Sequence, residues 1–340
     1  MKNKIIVAGN IIVDNLYPIT GYPERGQLTT IEDGISKSVG GSVCNVGIDL
    51  KKLMPDVDIC ALGLVGNDDS GDYAVGTMAD AGMDVSLVGR TGATSFTSVM
   101  SDTLTKERTF FQYRGANAHF SEDSFKWEDC DCDIMHIAYI LLLDELDKED
   151  DDYGTKMARL LCHARERGIK TSIDVVSETG ERFSRLVPPA LKYTDYCVIN
   201  EIEASRSTGI PLRDENGALI YSNIKTVLRA LFGLGVSTWA IIHCPEGGFG
   251  MDKDGNFASY GQIYTPKGFI KGKVGAGDAF CAGVLSAAQR GMSLEYALKL
   301  GNAAATQSLA EPGATEAMKT VEEVMALADE FGAKEVPEID

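Results

Sequence analysis

The residues with the clearest chemical potential lie in one short stretch, residues 271–285, with the sequence KGKVGAGDAFCAGVL. Asp278 directly follows Gly275, Ala276 and Gly277, and it precedes an apolar run that predicts a helix. Glycines allow backbone N–H groups to converge, and the positive end of the helix dipole would point at the same place. These features predict an anion-binding site that needs no lysine.

A carboxylate at such a site requires an explanation, because it would repel a bound anion. Asp278 fits if a substrate hydroxyl lies between the carboxylate and the anion and gives up its proton to Asp278. The alternative is that Asp278 only caps the helix, which is common for aspartate at a helix start. This motif alone leaves both interpretations open.

Two familiar phosphate-binding motifs are absent from this stretch of sequence. The dinucleotide fingerprint G-x-G-x-x-G fails because its third glycine position is Phe280. The Walker A loop G-x-x-x-x-G-K-[ST] fails because GFIKGKV is one residue short between its glycines and ends in Val274. The anion site must therefore be of another type.

Strand-like and helix-like segments alternate along the chain, beginning with KIIVAG and the helical SVCNVGIDLKKLM. Such repeats with almost continuously apolar strands predict an α/β fold with a mainly parallel sheet covered on both faces. In these sheets, ligands bind outside the carboxyl ends of the strands. We expect one domain over residues 1–335, in which MKNKIIVAGNIIVDN is a first strand that ends at Asp14 rather than a secretory leader.

Two segments interrupt this alternation, at residues 15–38 and 94–117. The first has turn residues and short polar strands, and the second alternates like two antiparallel strands joined by a turn near Thr105 and Lys106. We expect both segments to form a small β lid over the ligand edge of the main sheet. Its edge strands could provide a homodimer interface or face water.

The composition argues against several classes of function. The chain has 340 residues, is 44% hydrophobic and carries a formal net charge of -18, from 32 basic and 50 acidic residues. Such a surface repels nucleic-acid phosphates and anionic lipid, so neither nucleic acid nor membrane is an expected partner. The 8 scattered cysteines indicate reduced thiols in a cytoplasmic protein. No apolar run approaches the ~18 residues of a membrane-spanning helix.

The segment GAGDAFCAGVL resembles the C-terminal signature of the ribokinase-like (PfkB) sugar kinase family, D-T-x-G-A-G-D followed by an apolar helix. Other segments resemble family motifs in family order across almost the whole chain: GNIIVDN, GGSVCNVG, GLVGNDDSG, NEIEA and AEPGAT. Each motif is weak alone, but all of them in the correct order are specific. The resemblance implies a ribokinase-like three-layer sandwich and an ATP-dependent carbohydrate kinase that phosphorylates a hydroxyl of a small sugar or polyol.

For catalysis, the resemblance implies that Asp278 is the general base for the attacking hydroxyl. The backbone N–H groups of Gly275, Ala276, Gly277 and Asp278 would then stabilise the charge on the transferred phosphoryl group. Positioning and charge shielding would supply most of the rate acceleration, with Mg²⁺ on ATP as the metal.

For the nucleotide, the resemblance points to three segments. Asn200 and Glu203 of NEIEA would orient Mg²⁺ through water, although the same pattern also suits a plain helix start. HCPEGGFG occupies the place of the family's T-L-G-x-x-G turn, so His243 and Gly248 become nucleotide-binding candidates, with histidine where threonine is usual. Asn302 matches a position next to the base.

For the acceptor, Asp14 could accept hydrogen bonds from two adjacent sugar hydroxyls, or it could form an ordinary Asx turn. Gly40, Gly41 and Asn45 match sugar-contacting positions of the family, although Asn45 would also suit a capping or surface amide. Arg114, in the second lid segment, is a further candidate for binding the substrate, and a solvated surface explains it equally well.

The chain departs from the family pattern directly before the glycines. Gly272, Lys273 and Val274 replace the family's D-T-x, whose acid helps to hold a monovalent cation in relatives. The resemblance therefore does not extend to activation by potassium. Lys273 is a candidate for replacing that positive charge near the phosphates.

Other functions remain compatible with the sequence. A nucleoside kinase of the same fold is also compatible with GGSVCN. Position 272 and the segment HCPEGG depart from the family pattern, so a regulator that binds sugar or nucleotide without catalysis is a second alternative. Intact GAGD and NEIEA argue against the regulator. A nicotinamide oxidoreductase lacks its fingerprint.

Overall fold

The structure is a computed structural model that describes residues 2–105, 107–176, 180 and 182–339. Within these residues, one large sheet contains nine strands in the spatial order β5 (Asp84–Arg90), β4 (Asp58–Val65), β1 (Lys4–Gly9), β8 (Ile134–Ile140), β11 (Lys170–Val175), β12 (Tyr196–Asn200), β13 (Trp239–Cys244), β14 (Gly247–Asp252) and β15 (Phe257–Gly261). The strands from β5 to β13 pair in parallel, and β14 and β15 add an antiparallel edge. The predicted α/β fold with a mainly parallel sheet is confirmed.

Helices cover both faces of this sheet because its strands are apolar on both sides. Ile5 and Val7 of β1 face one hydrophobic core, whereas Ile6 and Ala8 face the other. The first core is closed by α1 (Ser42–Leu53), α2 (Asp69–Asp80), α7 (Ala276–Gln289), α8 (Leu294–Ser308) and α9 (Val321–Phe331). The second is closed by α3 (Lys156–Glu166), α4 (Arg182–Leu191), α5 (Glu201–Thr208) and α6 (Ile224–Gly233).

A smaller, separate sheet contains β3 (Ser36–Gly40), β2 (Ile12–Ile19), β6 (Phe96–Asp102) and β7 (Arg108–Tyr113), in that order. The central pair β2 and β6 is parallel, and the two outer pairs are antiparallel. The predicted small sheet is therefore present, and it begins at Ile12, before residue 15. Thr105 lies in the turn between β6 and β7, and Lys106 lies outside the described residues.

Two short strands, β9 (Glu149–Asp150) and β10 (Gly154–Thr155), form a separate pair.

The prediction of a single first strand is wrong, because the first apolar run is divided between the two sheets. Gly9 has a φ of 123°, which is accessible mainly to glycine, and the following Asn10 N–H donates to the Ala138 carbonyl at 3.0 Å. The chain leaves the large sheet at this point and enters the small one at Ile12. Asp14 consequently lies inside β2 rather than at the end of the first strand.

Among the described residues, no helix combines the length and the apolar character that crossing a membrane requires.

The crossing from β1 to β2 yields a prediction about stability. A Cβ atom at Gly9 would overlap the Ala138 carbonyl, and the positive φ adds strain, so we expect Gly9→Ala to lower the free energy of unfolding by at least ~2 kcal/mol. Gly76 in α2 is the matched control, because open space surrounds its Cβ position. Gly76→Ala should raise the free energy of unfolding by ~0.5–1 kcal/mol. Urea unfolding of both variants measures the difference, and equal midpoints would contradict the assigned constraint.

Candidate active site

The start of α7 forms the centre of the candidate site. Gly275 is the N-cap with a φ of 76°, and a Cβ atom there would lie 2.7 Å from the Ala314 Cβ atom, so both backbone shape and space require glycine. Among the described residues, no side chain caps this helix. Because the first N–H groups of a helix lack intrahelical acceptors, those after Gly275 are available to an anion.

Asp278 lies in the first turn of α7, and its side chain does not cap the helix. The residue is 7% exposed; its Oδ1 accepts a hydrogen bond from the Tyr139 hydroxyl at 2.6 Å and its Oδ2 accepts one from Asn45 Nδ2 at 3.0 Å. Burial raises the pKa of Asp278, and these two hydrogen bonds act in the opposite direction. A buried carboxylate with a raised pKa is suited to accepting a proton.

A double glycine brings the small sheet close to Asp278. A Cβ atom at Gly40 would overlap the Asp14 carboxylate, and one at Gly41, whose φ is 80°, would overlap the Asn10 carbonyl. This close approach positions α1 and its Asn45. Asp14 is half-buried, and burial raises the pKa of its carboxyl group.

The thiol of Cys44 is influenced by both predicted carboxylates. Burial raises the pKa of the Cys44 thiol to about 12, and the negative charges of Asp14 and Asp278 add to that rise. The thiol is therefore neutral, and it is close enough to both carboxylates to feel their charges. Of the predicted acceptor residues, Asn45 thus contacts Asp278 directly, and Asp14 lies near Cys44, the residue next to Asn45 in the chain.

A cavity of about 480 Å³ adjoins the start of α7. This volume is within the range of small-molecule and cofactor sites. Asn200, His243 and Asn302 line the cavity together with Ala276 and Gly277. The structure thus brings most of the predicted nucleotide residues to one place, next to the free N–H groups.

Two predicted nucleotide residues, Gly248 and Glu203, lie outside the lining of this cavity. Gly248 packs directly against two residues that line the cavity. A Cβ atom at Gly248 would lie 2.8 Å from Asn302 Nδ2 and 2.9 Å from Phe280 Cζ. Glu203 instead belongs to the start of α5.

Asn200 and Glu203 form a capping box at the start of α5. Asn200 Oδ1 accepts hydrogen bonds from the N–H groups of Ile202 and Glu203 at 3.0 and 2.9 Å, and Glu203 Oε2 accepts one from the Asn200 N–H at 3.0 Å. The helix-start interpretation of NEIEA is therefore present in the structure. It fixes both side chains at the carboxyl end of β12.

His243 lies at the carboxyl end of β13, against the α7 start. Its ring centroid is 5.0 Å from that of Phe280, and burial lowers the pKa of His243 to about 4. The imidazole is therefore neutral near pH 7. It presents a flat surface to the cavity where the family has threonine.

The sequence did not indicate two further functional candidates, Tyr139 and Asp174. Burial raises the pKa of Asp174 well above its ordinary value, and the charges of Glu203 and Asp278 raise it further. Asp174 lies near the carboxyl end of β11, as Tyr139 does on β8. The sequence signal for each was a polar residue near the end of an apolar strand. A single residue of this kind, outside any motif, does not identify a functional site.

Arg114, the acceptor candidate from the second lid segment, contacts residues 141 and 144 after β8. Its Nη2 donates to the Leu141 carbonyl at 3.5 Å, and its Nε is 3.9 Å from Asp144 Oδ1. In the described part of the chain it has no hydrogen bond to another predicted site residue.

The donor set agrees with a metal that arrives on the nucleotide. No group of three or more histidine, cysteine, aspartate or glutamate side chains in the described residues could hold a metal ion by itself. The repulsion among Asp174, Glu203 and Asp278 would nevertheless be relieved by a cation. Mg²⁺ commonly uses one or two carboxylates together with substrate phosphates, so the residues present fit Mg²⁺ bound to a nucleotide.

The fold and the site together define a class of protein. The start of one helix, with free N–H groups, contributes residues to a nucleotide-sized cavity and carries a buried carboxylate that could accept a proton. This arrangement is typical of an enzyme that transfers a phosphoryl group to a hydroxyl.

A model of the pfkB family carbohydrate kinases matches residues 2–321. The chain therefore belongs to the pfkB family, and the predicted enzyme class, an ATP-dependent carbohydrate kinase, is confirmed.

Individual relatives are distant but cover most of the chain. The 5-dehydro-2-deoxygluconokinase of Lacticaseibacillus casei is 26% identical over 324 residues, which span 88% of this chain and 89% of that protein. The ribokinase of Haemophilus influenzae is 22% identical over 335 residues, 96% of this chain and 98% of that protein. The structure of Arabidopsis thaliana ribokinase complexed with ribose and ATP matches with a TM-score of 0.78 at 20% identity, over 95% of this chain and 97% of that one. The predicted ribokinase-like fold is thus confirmed.

The hydrogen bond from Tyr139 yields a prediction about pH dependence. This bond stabilises the charged form of Asp278, so its loss in Tyr139→Phe should raise the pKa of Asp278 further. If Asp278 accepts the proton, the acidic limb of kcat/KM against pH should move to higher pH, and kcat near neutral pH should fall about tenfold.

Tyr153→Phe is the matched control, because Tyr153 packs against His163 and Tyr193, away from this site. Its pH profile should match that of the unaltered protein. An unchanged acidic limb in Tyr139→Phe would exclude the hydrogen bond as a determinant of the reacting group.

Proposed function

We propose that this protein transfers the γ-phosphoryl group of Mg-ATP to a hydroxyl of a small sugar or polyol, with Asp278 as the general base. One observation carries this proposal: the buried Asp278 carboxylate is held by Tyr139 and Asn45 beside the unoccupied N–H groups at the start of α7. Family membership supports the reaction class, and this geometry supports the residue roles.

On the nucleotide side, the cavity would hold the adenosine part of ATP. The neutral ring of His243 and the Asn302 amide offer a flat surface and a polar group. The phosphates would then extend towards Ala276 and Gly277, whose N–H groups point into the same region. Lys273 also lines the cavity and is the side chain best placed to add positive charge.

On the acceptor side, Asp14 would accept hydrogen bonds from sugar hydroxyls. The acceptor hydroxyl would lie next to Asp278, which takes its proton while the oxygen forms a bond to the γ-phosphorus and the bond to ADP breaks. The N–H groups at the α7 start would stabilise the charge on the transferred group. Asn45 and Tyr139 would keep the carboxylate aimed at the hydroxyl throughout.

Mg²⁺, when bound with ATP, supplies charge neutralisation to the phosphates. Glu203 and Asn200 would orient it through water, and Asp174 is a third candidate because its charge couples to that of Glu203.

The relatives' names leave the acceptor open, because they include a ribokinase and a 5-dehydro-2-deoxygluconokinase. A suitable panel therefore contains free sugars, polyols, nucleosides and sugar acids, among them 5-dehydro-2-deoxy-D-gluconate. Turnover of a nucleoside alone would favour the nucleoside kinase alternative. Binding of compounds without any turnover would favour a non-catalytic regulator.

Replacing the proposed base tests the mechanism directly. Asp278→Asn keeps the size of the side chain but cannot take the proton, so kcat on the best acceptor should fall ~10²–10⁴-fold while the KM for ATP changes little. Asp254→Asn, in the exposed turn between β14 and β15, is the control and should leave turnover unchanged. Full turnover in Asp278→Asn would show that another group takes the proton.

The small sheet also supports a homodimer. Its edge strand β7 is exposed along its whole length and carries Phe110 and Phe111, which are 63% and 57% exposed. Leu104, at the adjoining turn, is 70% exposed. Successive side chains of a strand point to opposite faces, so both faces of β7 expose an apolar ring. Its unpaired edge suits a second copy of the same sheet.

A double substitution tests this dimer. Phe110→Ser with Phe111→Ser should convert a dimer into a monomer in sedimentation equilibrium, because it removes the largest exposed apolar groups of β7. Tyr264→Ser, at an exposed tyrosine outside the small sheet, is the control and should leave the mass unchanged. A monomeric unaltered protein would disprove the proposal.

A further inference from the structure

Arg114 carries a guanidinium group whose hydrogen-bonding capacity is largely unused. A guanidinium has five N–H donors, and Arg114 uses one of them in a long bond of 3.5 Å to the Leu141 carbonyl. Its Nη1 is buried and has no hydrogen-bond acceptor among the described residues. A buried, unpaired charged donor is costly unless a ligand or water completes it.

The backbone around Arg114 is fixed rather than loose. A Cβ atom at Gly115 would lie 2.7 Å from the Ala93 carbonyl and 2.9 Å from the Ser95 nitrogen, so the chain passes close to residues 93–95. Asn117 is 1% exposed and exchanges two hydrogen bonds with the Ile11 backbone, at 3.0 and 3.3 Å. Arg114 is therefore anchored to the segment that leads into β2 and Asp14.

The side chain of Arg114 contacts the segment at the end of β8 that also holds Asp278. Its Nη2 bonds to Leu141, two residues after the Tyr139 whose hydroxyl holds the Asp278 carboxylate. Arg114 is thus tied at its backbone to the Asp14 segment and at its guanidinium to the Tyr139 segment. A substrate that lies between Asp14 and Asp278 would have the guanidinium at its border.

We infer that the substrate is a sugar acid and that Arg114 binds its carboxylate; this inference rests on the proposed kinase function. A guanidinium pairs with a carboxylate through two parallel hydrogen bonds, which would satisfy Nη1. The charge balance agrees, because Asp14, Asp278 and a net charge of -18 would repel an acid unless a cation offset them. A hydroxyl of a neutral sugar could accept one hydrogen bond from Nη1, but it offers neither the negative charge nor the two parallel acceptors of a carboxylate.

Pairing with Asp144 does not account for the arginine. The two groups are 3.9 Å apart, and their side chains are 32% and 42% exposed. Exposed pairs of this kind contribute little. The pair also leaves the buried Nη1 without an acceptor among the described residues, because Asp144 approaches Nε instead.

The test compares matched acids and neutral amides as acceptors. D-Gluconate and 2-keto-3-deoxy-D-gluconate are assayed with Mg-ATP, each beside its carboxamide, together with D-ribose and D-glucose. We expect an acid to be preferred over its amide by at least about tenfold in kcat/KM. Arg114→Gln should raise the KM for that acid about ten- to hundredfold, with a smaller change in kcat and in the kinetics of the amide.

Two further variants separate charge from structure. Arg114→Lys keeps the charge without the paired geometry and should recover part of the loss. Arg229→Gln removes the same charge from an exposed position of α6, outside the small sheet, and should leave the KM unchanged. Calorimetry with D-gluconate and 2-keto-3-deoxy-D-gluconate in the absence of ATP measures the Arg114 site independently of turnover.

The outcomes distinguish this inference from the proposed function. Turnover of neutral sugars without preference for any acid would overturn the sugar acid and leave the kinase intact. Equal losses for acid and amide in Arg114→Gln would show that the arginine only stabilises the small sheet. Absence of turnover on every acceptor would overturn the proposed function, and absence of heat with both acids would then overturn the Arg114 site as well.

Discussion

The burial of one carboxylate at the start of a helix is the constraint on which the rest of this site depends. Removing Asp278 from water disfavours its charged form, and donors from two other elements offset that cost: Tyr139 on β8 and Asn45 on α1. Both donors must stay within hydrogen-bonding distance, so α1, α7 and β8 have little freedom to shift. The glycines at positions 41 and 275 allow these elements to approach each other closely enough.

The parts of the site that could be predicted from the sequence are local. Glycines at a helix start favour converging backbone N–H groups in any fold, so the anion site could be proposed before the structure, and the resemblance to the family added the role of Asp278. Tyr139 could not, because its partner is 139 residues away and a tyrosine in an apolar strand normally signals core. Asp174 matters through the charges of Glu203 and Asp278, which only the folded chain brings close.

The same distinction holds for the fold. Continuous apolar strands predicted the parallel core of the large sheet, whereas β14 and β15 have glycine-rich and mixed sequences, GGFGMD and FASYG, without a clear strand pattern. They are strands because β13 offers a free edge and α8 packs against them. The break between β1 and β2 could not be predicted either, because apolar residues continue across it. The positive φ of Gly9 is what directs the chain out of the large sheet.

The departure at Gly272 follows from packing on the nucleotide side of α7. A Cβ atom at Gly272 would lie 2.7 Å from both the Glu311 and Pro312 carbonyl oxygens, so no acidic side chain fits there with this loop in place. Two carbonyl groups occupy this space instead, and the neighbouring Lys273 lines the cavity. A covalently attached ammonium group stays in place at any salt concentration, unlike a bound ion. We therefore expect positive charge near the phosphates to come from α7 and Lys273, which suits a protein with an otherwise strongly acidic surface.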